Sequence, residues 1–292
     1  MTETVAVDVP APAGAADPDG AVDTGRVRVA DGIEIAYSRR GRGTTDVVLV
    51  NNFFMDRKSW KSYTGQLEEN FRLIEYDLRG QGDSTPADGP LEWDDHINDL
   101  LGLLDALGVE RAVLVGTSFS TLICRDAAIA APDRIAGLVM AGPAMSAYGP
   151  RRIRQITKSW LKALQENGLG QLYNQLYPLV TGDAGVEEAG VTGFLGRKQN
   201  FLGIHTVESL ESGLAVSLKA PNDPELLTKV QCPTLLFVGD DDFSLGTSGV
   251  AGLEELLPDS RTVVAPRGGH LAFLEQADFF QEEAVRFISG LG

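Results

Sequence analysis

An apolar run, Ala112-Val113-Leu114-Val115, stops at Gly116-Thr117-Ser118-Phe119-Ser120, and a helix-like segment follows at once. A serine on so sharp a strand-to-helix turn is thrust above the end of a sheet. There its hydroxyl can attack a carbonyl carbon if a neighbouring base takes the proton. The residues two before and two after must be small, or their side chains collide with each other and with the adjacent strands. Gly116 and Ser120 meet that condition for Ser118, which makes Ser118 the candidate nucleophile. Ser120 fails the same test, because its own +2 neighbour is Leu122.

The elements that must position such a serine are legible around it. "VRVADGIEIAYSRRG" reads as two strands joined by a tight turn at Asp31-Gly32. "DVVLVNN" is a third strand, and "FRLIEYDLRGQGDS" a fourth that ends near Asp77 in a Gly-rich loop. Ile97, Leu100, Leu101, Leu104 and Leu107 recur at helical spacing within 91–107. "CPTLLFVGDDD" and "RTVVAPRGGH" are further strand-to-loop units separated by an amphipathic helix near 247–257, and a last helix covers about 274–290. This alternation predicts an α/β fold with a mostly parallel sheet covered on both faces, and ligands then belong at the carboxyl ends of the strands.

Residues 146–222 break the pattern. They hold the helical segments "RRIRQITKSWLKALQENG", "QLYNQLYPLV" and "VESLESGLAVSLKA" but no strand. The expected organisation is a core of 25–145 and 223–292, with 146–222 a helical cap over the strand ends. Residues 1–24, rich in Ala, Pro, Gly and Asp, read as a disordered tail rather than a secretion signal.

A net charge of −16 argues against nucleic acid and anionic membrane surfaces as partners. No apolar run approaches the ~20 residues of a membrane span. Cys124 and Cys232 sit in apolar segments without metal or redox spacing, as small core residues of a reducing compartment do. The expected location is the cytoplasm, with no metal and no organic cofactor. Arg151, Arg152, Arg154 and Lys158 open the cap as a cationic island. It reads first as a solvated helix face paired with nearby acids, and second as a landing site for an acyl carrier protein or a CoA tail.

The chain resembles the α/β-hydrolase superfamily, in its branch with a serine nucleophile and a helical cap. Five landmarks carry the resemblance, in the family's order: "VNNFFMDRKSW", "DLRGQGDS", the Gly-Thr-Ser-Phe-Ser turn, "VGDDD" and "GGHLAFLEQADFF". It covers most of residues 26–292 and implies an α/β-hydrolase fold with a mostly parallel eight-stranded sheet and an inserted helical cap. It also implies a Ser118–His270–Asp242 triad, with Asp240 and Asp241 as turn-forming or solvated neighbours. His96, in a predicted surface helix, and His205, in the cap, are structural or solvent-facing. The backbone N–H groups of Phe119 and Phe53 would form the oxyanion hole. Where the family usually has His-Gly, this chain has Asn51-Asn52, and Asn tolerates the positive φ a tight turn there needs. A similar Asn-containing loop occurs in enol-lactonases.

The activity implied is hydrolysis of a small-molecule carboxylic ester, thioester or lactone. Alternatives on the same triad are C–C bond hydrolysis, acyl transfer and cyclisation, and a further alternative is a non-catalytic binding protein on the same scaffold. Trp160, Tyr173, Tyr177, Leu161, Leu164, Leu172, Leu176, Phe194, Phe201 and Leu202 supply an apolar cap and hence an apolar acyl part. The pocket candidates are Trp160, Tyr173 and Tyr177 with Asn51, Asn52 and Ser120.

Overall fold

A computed structural model describes residues 22–244 and 252–291. Its strands are β1 (Asp23–Ala30), β2 (Ile33–Arg40), β3 (Asp46–Val50), β4 (Arg72–Tyr76), β5 (Ala112–Thr117), β6 (Ile135–Ala141), β7 (Thr234–Gly239) and β8 (Ser260–Ala265). They form one eight-stranded sheet in the order β1-β2-β4-β3-β5-β6-β7-β8. β2 pairs antiparallel with β1 and β4, and every other pairing is parallel. The helices are α1 (Gly65–Asn70), α2 (Trp93–Ala106), α3 (Ser120–Ala130), α4 (Arg151–Val180), α5 (Asp183–Ile204), α6 (Val207–Ser217), α7 (Ala272–Glu275) and α8 (Ala277–Ser289).

The strand sequences explain the two layers. Successive side chains of a strand point to opposite faces. Val48, Val50 and Leu114 accordingly pack with Leu100, Leu104 and Ile123 of α2 and α3. Val47, Leu49, Val113 and Val115 pack on the other face with Phe280, Ala284 and Ile288 of α8. Covered on both sides, β3, β5 and β7 are buried at every position, which is why they read as unbroken apolar runs rather than alternating ones.

Helices α4, α5 and α6 lie between β6 and β7 in the chain and form a helical insert in the sheet's sequence. Both crossings are tied to the core. Asn222 Nδ2 donates to the Ala144 carbonyl (3.1 Å), and the fully buried Arg125 of α3 donates through Nη2 to the Pro221 carbonyl.

Several boundaries differ from the sequence reading. Residues 1–21 of the predicted tail lie outside the described residues, while Asp23 and Thr24 already belong to β1. Of the helix expected near 247–257, positions 252–256 are helical and 247–251 lie outside the described residues. The last helical region is two helices, broken at Gln276. Segment 183–204 shows no apolar stripe at helical spacing, yet it folds as α5; five of its positions are glycines, and Val191 and Leu195 stand in solvent. Packing of Phe194 and Phe201 against the tyrosines of α4 overrides its weak local preference.

Candidate active site

Ser118 follows β5 with φ of +53°, one of two non-glycine residues with positive φ among those described. That left-handed conformation costs a residue with a Cβ roughly 1–2 kcal/mol. Here it is held by hydrogen bonds: Ser118 N–H donates to Ala141 O (3.0 Å), and Thr121 Oγ1 donates to Ser118 O (2.5 Å). Gly116 leaves no room for a side chain, since a Cβ there would stand 2.6 Å from Cys124 Sγ. Ser120 is fully buried and spends its hydroxyl on strand ends, accepting from Thr117 N–H (2.8 Å) and donating to Val50 O (2.7 Å). It therefore does not line a pocket; it ties the start of α3 to β3 and β5.

The loops after β7 and β8 bring the other two residues to Ser118. His270 Nε2 lies 2.9 Å from Ser118 Oγ, and His270 Nδ1 lies 2.9 Å from Asp242 Oδ2. All three side chains are buried. Their approach depends on glycines: a Cβ on Gly239 would fall 1.9 Å from Gly268 O and 2.3 Å from Gly269 O, so the loop carrying His270 lies directly on the end of β7. Glu275 holds that loop from outside by accepting from Gly269 N–H (2.9 Å) and Gly182 N–H (3.0 Å). Of the three consecutive aspartates, only Asp242 is buried and turned to the histidine; Asp241 accepts from Asp183 N–H (3.2 Å), and Asp240 is exposed.

Burial alone would push the Asp242 carboxyl up. The His270 charge and the hydrogen bonds from His270 and Ser244 outweigh it, and the carboxyl sits below its ordinary value. Ser244 donates to Asp242 Oδ1 through both its hydroxyl (2.5 Å) and its backbone N–H (2.7 Å). This residue escaped the sequence reading. The signal was its place two residues after an aspartate, where an Asx turn forms.

The loop after β3 departs from the expected turn. Neither Asn51 nor Asn52 has positive φ. Their value lies in their amides. Asn51, fully buried, donates through Nδ2 to Tyr76 O (2.8 Å) and accepts from Trp60 Nε1 (2.6 Å). Asn52 accepts from Phe54 N–H (2.7 Å), with Nδ2 3.3 Å from Met55 Sδ, and Gln81 Nε2 donates to Phe53 O (3.0 Å). Both asparagines brace the loop from within instead of facing a ligand. Among the described residues, the backbone N–H groups of Phe53 and Phe119 are engaged by no acceptor. The "DLRGQGDS" loop is braced in the same way, its buried Asp77 accepting from Arg57 N–H (2.8 Å) and Asp83 N–H (3.0 Å) and pairing with the Arg57 guanidinium.

An aromatic cover runs outward from the histidine. Phe243 packs edge-on to His270 (5.3 Å between ring centres) and touches Trp160, which meets Phe54, which in turn stacks on Phe201. Tyr173 and Tyr177 continue it with Phe194. Both tyrosine hydroxyls are buried without a hydrogen-bond partner, and burial, then Tyr177, raises the Tyr173 phenol to about 12. Leu202, expected with this cluster, is exposed. A cleft of about 380 Å³ beside the relay reaches Asp242 and Phe243 but not Ser118.

His96 is not on a surface. It is buried between Phe53 and Trp93 with both ring nitrogens unpartnered, and burial, aided by Arg79, lowers it to about 4. His205 is buried in the helical insert against Phe201. Among the described residues no three His, Cys, Asp or Glu side chains form a group able to hold a metal ion, and no helix is long and apolar enough to cross a membrane.

Known proteins carry the same architecture. A Pectobacterium atrosepticum pimeloyl-[acyl-carrier protein] methyl ester esterase is 26% identical, over 86% of this chain and 97% of its own. A Paraburkholderia xenovorans 2-hydroxy-6-oxononadienedioate/2-hydroxy-6-oxononatrienedioate hydrolase is also 26% identical, over 90% of this chain and 94% of its own. Among solved structures, a thermophilic esterase from Thermogutta terrifontis superposes with a TM-score of 0.81 at 24% identity, covering 92% of this chain and 99% of that one. The enol-lactonase from Burkholderia xenovorans LB400 gives 0.78 at 22%, covering 90% and 99%; at such identities these two show the shared fold alone. The profile of the alpha/beta hydrolase family matches residues 43–283, and the chain, an enzyme by that membership, is an alpha/beta hydrolase.

Proposed function

We propose that this hydrolase cleaves a carboxylic ester, thioester or lactone with an apolar acyl part, through an acyl-enzyme on Ser118. The observation that carries the reading is the continuous Ser118–His270–Asp242 hydrogen-bonded relay at the carboxyl ends of β5 and β7. Ser118 Oγ attacks the carbonyl carbon while His270 Nε2 takes its proton, and Asp242 holds the imidazole by Nδ1 and balances its charge. The tetrahedral oxyanion is met by the free N–H groups of Phe53 and Phe119, and losing one such donor typically costs roughly 2.7–4 kcal/mol. His270 then returns the proton to the leaving alcohol or thiol, and water releases the acyl group by the reverse sequence. Helices α4–α6 act as the cap, with Trp160 and Phe243 excluding water. The test is a fluorophosphonate probe with intact-mass readout. A single adduct on Ser118, absent in Ser118→Ala, supports the reading; a folded protein that takes no adduct at any pH defeats it.

Arg151, Arg152, Arg154 and Lys158 form no ion pair among the described residues, contrary to the expectation of pairing with nearby acids, although Arg154 donates to Ala220 O (3.3 Å). With the likeness to a pimeloyl-[acyl-carrier protein] methyl ester esterase, this free cationic island favours an acyl carrier protein as the bearer of the ester. Arg151→Glu with Lys158→Glu should weaken turnover of carrier-bound esters and leave free esters unchanged. Equal rates on both would remove the carrier from the reading.

A further inference from the structure

The geometry points to Ser244 as a fourth member of the relay, a positioning residue that fixes the Asp242 carboxylate against His270. The role rests on the proposed triad chemistry. Asp242 has two oxygens with separate duties: Oδ2 faces His270 Nδ1 at 2.9 Å, while Oδ1 takes two donors from one residue, the Ser244 hydroxyl at 2.5 Å and its backbone N–H at 2.7 Å. Two donors converging on one oxygen leave the carboxylate no free rotation about its Cβ–Cγ bond, so Oδ2 stays in line with Nδ1. The Ser244 oxygen also lies 3.2 Å from His270 Nδ1, so the hydroxyl that donates to Asp242 offers its lone pair to the histidine N–H.

Arg152, Asp183 and Asp240 line the cleft that reaches Asp242 but make no hydrogen bond or ion pair with its carboxyl among the described residues, and the remaining charged groups near the pair are engaged elsewhere. Asp241 accepts from the Asp183 backbone and Glu275 from Gly182 and Gly269, while Phe243 presents only its ring edge to His270. Ser244 is thus the one side chain besides His270 that hydrogen-bonds Asp242 among the described residues.

A hydroxyl that only stabilised the loop would change melting and nothing else. One that polarises Asp242 sets how strongly the carboxylate holds the proton on His270. Without the hydroxyl, Oδ1 keeps only the backbone donor, the carboxylate bears more of its charge, and the imidazolium proton is held more tightly.

The experiment is the rate of fluorophosphonate labelling of Ser118 against pH, in the full chain, for wild type, Ser244→Ala and Ser244→Thr. In Ser244→Ala the acid limb should move up by about half a pH unit, near a threefold change in proton affinity, and the plateau rate should fall about tenfold. Ser244→Thr keeps the hydroxyl and should restore both. An unmoved acid limb in a folded Ser244→Ala protein overturns the role. So does a Ser244→Thr protein that behaves like Ser244→Ala while melting like wild type. Wild type that takes no label defeats the reading of Ser118 as nucleophile, and this role falls with it; wild type that labels normally beside an unmoved mutant limb defeats this role alone.

Discussion

The strand ends and the helical insert treat the same building blocks in opposite ways. At the strand ends, glycines sit where any Cβ would strike backbone: Gly239 faces two carbonyl oxygens within 2.3 Å. Asn51, Asp77, Ser120 and Asp242 there each make two or more hydrogen bonds, although the buried Tyr76 hydroxyl, Thr117 Oγ1 and Gln81 Oε1 have no partner. In the insert, a Cβ on Gly196 would meet nothing within 4 Å, Val191 and Leu195 stand in solvent, and the hydroxyls of Tyr173 and Tyr177 lack partners. One region is over-determined and can hold atoms to fractions of an ångström. The other is loosely specified, and so can change shape and substrate contacts at small cost. On the proposed function, chemistry belongs to the first and selection of the substrate to the second.

The contrast can be broken at several points. The largest effect is expected for Ser118→Ala, which should lower kcat/KM on any ester substrate about a thousandfold or more. Trp160→Ala in the cover should instead change the ranking of acyl chain lengths by about tenfold. A mutant ranking identical to that of wild type would remove the cover from substrate selection.

Inside the core, His96 is buried with both ring nitrogens unpartnered. Its folded-state value lies near 4 and its ordinary value is 6.5, so between those limits the unfolded chain binds a proton that the folded chain refuses. Stability should therefore fall as pH drops through that window, by about 3 kcal/mol at most. Urea melts at pH 7 and pH 5 should show the loss, and His96→Leu should flatten it. Equal pH dependence in that mutant would place the acid sensitivity elsewhere.

Two glycine substitutions should act with opposite sign. Gly239→Ala forces the histidine loop off β7 and should cost about 1–3 kcal/mol. Gly196→Ala, in helical backbone with open space around it, should add about 0.5–1 kcal/mol. Thermal melts of the two side by side decide it, and a destabilised Gly196→Ala protein would mean that α5 is packed more tightly than its surroundings suggest.

The smallest effect concerns Tyr173→Phe and Tyr177→Phe. Deleting a buried hydroxyl that has no partner should leave stability unchanged or raise it by up to about 1 kcal/mol. The readout that matters is KM for esters whose acyl chain carries a distal hydroxyl or keto group, which should rise against plain alkyl esters. A stability loss above 1 kcal/mol in either mutant would show that the hydroxyl is bonded in the folded protein.

Much of this was written locally. Ser118 is marked by small neighbours at two-residue spacing, β3 and β5 by apolar runs, and α2 by leucines at helical intervals, because each of these signals lies within one element. The features that the sequence hid are bonds across distance. Asn51 reaches Tyr76, Ser120 reaches Val50, and Gln81 reaches Phe53. The sequence suggested that Asn replaces Gly at the β3 loop for its backbone freedom. The fold uses its side-chain amide instead, a role visible only once β4 and Trp60 are in place.

The amino-acid sequence by itself determined where strands end, which serine stands at the sharp turn and that a helical insert interrupts the sheet, since periodicity, small residues and turn formers act over a few positions. Only the tertiary structure decided that His96 is interior, that α5 runs in the chain from Asp183 to Ile204, and that Ser244 bears on the carboxylate. Burial and hydrogen-bond partnership belong to residues far apart in the chain, and no local pattern encodes who the distant neighbour will be.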